Sequence, residues 1–161
     1  MNRTVVFTLT AALLLVAAMA GCAAARPTPV SITVSAAGQE LQLGPADAAF
    51  APVTRQLSNL IAGLDTPLYA YYPPERVMNE LLVRPHLEAV YSPTVTLHGK
   101  GYEAQAGRLI VVVTDEGPLA LTQPREDADW TACEASDTER FSALFKVVRE
   151  QTEIDLPAPA R

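Results

Sequence analysis

Cysteine and histidine are scarce: two of each occur among 161 residues. Two thiols cannot make a disulfide-stapled mini-protein or a four-thiolate zinc site. Basic residues are outnumbered, with 12 Lys+Arg against 18 Asp+Glu, a net charge of −6. That balance excludes a basic nucleic-acid-binding surface. The sequence holds no HExxH, GxSxG, GxGxxG, Walker loop or CxxC, so the usual signatures of metalloprotease, hydrolase, dinucleotide or redox chemistry are missing. No internal repeat and no sustained βαβ alternation is visible. What is plentiful is apolar content, at 49%, enough to exclude a wholly disordered chain. The length suits one domain.

Part of that apolar content is one block. Met1-Asn2-Arg3 precedes an apolar run from Thr4 to Ala20, followed by Gly21-Cys22. One positive charge, an apolar core and small residues form the layout of a secretory signal. Met19-Ala20-Gly21-Cys22 resembles the lipobox of bacterial lipoproteins, with Met19 where Leu is usual. The resemblance covers residues 1–22 only. It implies cleavage before Cys22, a diacylglycerol thioether on Cys22 and acylation of the new amino terminus, often with palmitate. It also implies a domain outside the cytoplasm, held at the cell membrane or outer membrane, with the bilayer as partner through the acyl anchor. Ala23, rather than the Asp of inner-membrane retention, points to the outer membrane in a two-membrane cell. Two other readings stay open: Ala18-Met19-Ala20 also fits a conventional cleavage site, and the run sits at the lower length limit of a spanning helix.

Removing residues 1–21 deletes Arg3 and no acid, which leaves 140 residues with 11 bases and 18 acids, a charge of −7. The expected organisation is a signal peptide (1–21), a lipidated Cys with a Pro/Ala tether (22–30), a single domain (31–155) and a frayed tail (156–161). Pro27 and Pro29 favour an extended tether of about 3.1 Å per residue.

The expected fold class is α+β, mostly an antiparallel sheet in a meander, with about three helices packed on it. Val30–Val34 and Glu40–Leu43 alternate as a hairpin. Phe50, Val53, Leu57, Leu60, Ile61 and Leu64 define a helical stripe, starting near Ala51 and ended by Gly63 and Pro67. Leu68–Pro74 reads as a loop. Pro74 opens a short helix facing Val77, Met78, Leu81 and Leu82 inward. Strands follow at 87–91, 94–98, 102–106, 109–113 and 118–122, broken at Ser92-Pro93, Gly99–Gly101, Gly107 and Asp115–Gly117. The continuous apolar run 109–113 is the central strand, and 129–135 adds a further one. Ser136-Asp137-Thr138-Glu139 is a capping box that opens a helix with Phe141, Leu144, Phe145 and Val148 on one face.

Candidate chemistry is thin. His86 and His98 have no partner at metal-ligand spacing, so no metal and no cofactor is expected. Cys133 sits among acids, which raise a thiol pKa. It reads as a buried small hydrophobe. Residues 126–155 hold nine acids and three bases, either a solvated face or a docking face for a cation or basic partner. Tyr69, Tyr71 and Tyr72 lie in a Pro-stiffened segment and supply rigid amphipathic area of the kind found at binding hot spots. Trp130 reads as a core or edge ring. These residues favour a non-catalytic binding or structural component of the envelope, with another envelope protein or a small ligand as partner. The alternatives are a small-ligand carrier and a hydrolase using acids from 126–139.

Overall fold

A computed structural model describes residues 26–65, 67–101, 103–133 and 138–157, with the side chains of 67–71 outside the description. The signal segment, Cys22, Glu134 and the Ser136-Asp137 half of the capping box lie outside the described residues.

The chain forms a seven-stranded sheet in the order β2-β1-β4-β5-β6-β7-β3. Its strands are β1 (Ser31–Ala36), β2 (Gln39–Leu43), β3 (Pro67–Tyr72), β4 (His86–His98), β5 (Glu103–Thr114), β6 (Gly117–Gln123) and β7 (Trp130–Cys133). Every neighbouring pair is antiparallel. Helix α1 (Phe50–Ile61) follows the first hairpin. Helix α2 (Pro74–Arg76) runs directly into a π-helical turn (Val77–Leu81), and α3 (Thr138–Thr152) is the last described helix. This is the α+β, mostly antiparallel class expected. The meander holds for β4–β7, and β5, which carries 109–113, is the central strand.

The period-2 pattern of the strands has two buried faces to serve. On one face Ile32, Val34, Leu87, Leu109 and Val111 meet α1 (Val53, Leu57, Leu60) and α3 (Phe141, Leu144, Val148). Ile154 and Leu156 also join this core at 5% and 2% exposure, so the packed chain reaches Leu156. On the other face Ile110, Val112, Leu121, Trp130 and Ala132 lie under Val77 and Leu81. The run 109–113 is continuously apolar because it feeds both faces.

The β1–β2 turn is Ala37-Gly38, with φ of 52° and 78°. Positive φ at both positions gives the primed turn that matches strand twist, and Gly38 adopts it without steric penalty.

Four expectations change. Leu68–Pro74 is not a loop: Pro67–Tyr72 is the edge strand β3, paired with β7. Aromatic residues favour a pleated surface once a partner strand exists, and Pro67 is tolerated at the first residue of an edge strand. The breaks at Ser92-Pro93 and Gly107 do not end strands. Ser92-Pro93 is a cis peptide inside a bulge between Val90 and Val95. Opposite it, Gly107 lets β5 pass within reach of β6: an added Cβ would lie 2.8 Å from the Pro124 carbonyl oxygen. His86 and His98 therefore share one strand, β4, at its two ends. In the second helix Met78 is exposed rather than inward: the wide π turn buries Val77 and Leu81 on the sheet, and Leu82 packs against them half-buried.

Candidate functional site

Pro73 is extended, and Pro74 starts α2 where its missing N–H has no helical partner to lose. That places Arg76 and Glu80 four residues apart on one side, with Arg76 Nε donating to Glu80 Oε2 at 2.9 Å. The Arg76 guanidinium also lies 4.9 Å from the centre of the Tyr72 ring, in cation–π range. Beyond α2, Arg84 donates from both terminal nitrogens to Asp115 Oδ1 and Oδ2, at 3.1 and 3.0 Å. Asp115 sits in the β5–β6 turn, which Thr114 closes by donating from Oγ1 to the Gly117 carbonyl at 2.7 Å. Gly117 has a φ of 129°, a conformation side chains resist.

Tyr72, Arg76, Glu80, Leu81, Arg84 and Asp115 thus enclose a cleft of about 410 Å³. Its two ion pairs are solvent-exposed. Water and salt screen such exposed pairs, so they hold weakly, and an incoming charged group can exchange with either partner at little cost. Beside the cleft-lining Arg76, Glu80 and Arg84, the π turn and its exit expose Met78 at 55% and Val83 at 74%.

The Arg84 hydrogen bond, and then its charge, hold the Asp115 carboxyl below its ordinary range. The folded value is the depressed one. The pair's contribution is therefore present above the ordinary Asp value of about 3.9 and is lost as pH falls through the lowered value. An NMR titration is expected to place the Asp115 midpoint below about 3.9, and Arg84→Gln to return it there. A midpoint at or above the ordinary value would contradict the pairing.

A second polar cluster lies mid-sheet. Arg108 donates from Nε to Glu88 Oε1 and from Nη1 to Gln123 Oε1 at 3.4 Å. Its guanidinium stands 5.1 Å over the Trp130 ring. Gln123 Nε2 in turn donates to the Glu126 and Ala128 carbonyls at 2.9 and 2.7 Å, fixing the β6–β7 turn. Every hydrogen bond in this cluster holds one strand or turn to another.

Of the Tyr trio, Tyr72 lines the cleft. Tyr69 and Tyr71 lie in β3, with their side chains outside the described residues. His86 is buried and donates from Nδ1 to the Arg84 carbonyl at 2.8 Å. His98 is exposed, 3.5 Å from Glu103. Cys133 is buried, its Sγ 3.8 Å from the Thr131 carbonyl oxygen. Glu126, Asp127 and Asp129 are exposed, and Glu139 lines a separate shallow cleft with Gln56, Asn59 and Arg140. Among the described residues no three His, Cys, Asp or Glu side chains gather to hold a metal ion. Sequence reasoning missed Arg76, Arg84 and Asp115. The four-residue spacing of Arg76 and Glu80 was visible, but the 31-residue separation of Arg84 and Asp115 carries no local signal.

The sheet also has a direction. Arg26 and Pro27 lie against Thr96–His98, at the end of β4. The Tyr72 cleft lies at the opposite end, where β4 starts and β5 finishes. Among the described residues no helix is long and apolar enough to cross a membrane. No family model, no curated protein and no solved structure matches the chain.

Proposed function

We propose that the chain is a lipid-anchored extracytoplasmic protein whose domain is a non-catalytic binding component of the cell envelope. Its anchor is Cys22, and its contact surface is the Tyr72–Arg84 cleft with Met78 and Val83 beside it. The observation that supports this reading most is the opposed placement of tether and cleft. A domain held at its Arg26 end presents the Tyr72 end away from the bilayer, where a partner has access. The cleft offers what protein interfaces use: an aromatic ring, arginines in planar pairs and exposed apolar side chains. Its exposed ion pairs can open toward a partner's charges.

Crosslinking in intact cells, followed by partner identification, tests this. Wild type is expected to capture a discrete envelope component, and Tyr72→Ala combined with Arg76→Ala to reduce capture at least tenfold. Unchanged capture by the double variant, or no component captured by wild type, would overturn the reading. The small-ligand carrier has one observation in its favour: about 410 Å³ falls within the range of small-molecule sites. A small molecule that co-purifies with wild type and is lost from the double variant would establish it instead.

A further inference from the structure

The tether end of the sheet has a cavity of its own. The last turn of α1 (Ser58, Ile61, Ala62), the end of β4 (Thr96–His98) and the tether residues Arg26 and Pro27 enclose a crevice of about 280 Å³. Ile61 and Leu97 are its deeply buried residues, at 7% and 1% exposure. Arg26 donates from Nη1 to Asn59 Oδ1 at 3.2 Å, which holds the tether against the crevice. Lys100, exposed at the tip of the β4–β5 hairpin, donates its backbone N–H to the Leu64 carbonyl at 2.9 Å. The hairpin tip and the end of α1 are thereby joined on one side of the domain.

Chain length decides what can lie against this side. Cys22 stands four residues before Arg26. Four residues span about 14 Å at full extension. Acyl chains on Cys22 would start at the level of the lipid headgroups, a layer about 5–8 Å deep on each side of the hydrocarbon core. Arg26 and the crevice it lines cannot then be far from that layer.

We propose that this end is a membrane-docking face, and that the crevice takes a phospholipid of the bilayer that holds Cys22. This rests on the lipid-anchor reading above. Pro27, Ile61, Ala62 and Leu97 receive the glycerol and upper acyl segment. Arg26 and Lys100 meet the headgroup phosphate as charge-assisted donors. Docking turns a flexible attachment into an oriented one. The length of β4, from His98 to His86, then sets the Tyr72 cleft roughly 35–40 Å above the lipid.

The lipidated full chain, purified from membranes, is reconstituted into phosphatidylethanolamine–phosphatidylglycerol vesicles containing doxyl-labelled lipid. Glu103→Cys, near the hairpin tip but outside the crevice, and Glu116→Cys, both exposed positions, carry a fluorescent label in separate preparations; Cys133 is buried and unlabelled. The label at position 103 is expected to be quenched several-fold more than the label at 116. Arg26→Gln with Lys100→Gln is expected to bring quenching at 103 down to the level at 116 while the protein still pellets with vesicles. Pelleting with equal quenching at both positions would overturn docking and leave the anchor standing. Failure to pellet would overturn the anchor, and docking with it.

Discussion

Trp130→Ala is expected to remove about 3–5 kcal/mol of stability. Trp130 is 2% exposed and packs with Ile110, Leu121 and Ala132 under Val77 and Leu81. On its other side it carries the Arg108 guanidinium. Truncation removes the largest side chain between the sheet and the π-helical turn, and it also leaves Arg108 without its ring. Domains of this size hold about 5–15 kcal/mol in total, so the variant should unfold at a much lower denaturant concentration. Trp130 is the sole tryptophan, so the comparison needs circular dichroism rather than intrinsic fluorescence. A loss under about 1 kcal/mol would mean that the Val77–Leu81 turn does not pack as described. The cleft depends on the same packing, since Tyr72, Arg76 and Glu80 ride on the segment that Val77 and Leu81 fasten down.

Cys22→Ala is expected to move essentially all of the protein from the membrane fraction to the soluble extracytoplasmic fraction. The physical ground is additive burial of acyl methylenes at about 0.8 kcal/mol each. One chain alone holds marginally, whereas two or three chains on one residue make attachment effectively permanent. The substitution removes all of them together. The domain itself should be unaffected, because Arg26, the first described residue that touches it, lies four residues beyond Cys22. Unchanged fractionation of the variant would refute lipidation and favour an uncleaved helix.

The sheet class, the central strand and both long helices were legible because their apolar residues recur at periods of 2 and 3.6. Leu57 and Leu60 in α1, like Phe141 and Leu144 in α3, are buried where that spacing puts them. The edge strand β3 was hidden because its pairing comes from β7, some sixty residues later, and its prolines suggest a turn. Strands β4 and β5 looked broken because Ser92-Pro93 and Gly107 are breakers locally, and only their juxtaposition makes them a matched bulge. Tyr72 was legible as a surface ring. The residues that turn it into a cleft were not: Arg84 meets Asp115 only through the register of β4, β5 and β6. In both cases local pattern wrote the elements, while long-range pairing wrote the site.

The intact mass of the membrane-extracted chain tests the central claim most directly. The account predicts a chain beginning at Cys22, heavier than residues 22–161 by a diacylglycerol thioether, with or without a further acyl group. An unmodified chain beginning at Gly21, or a chain that retains Met1–Ala20, would contradict it.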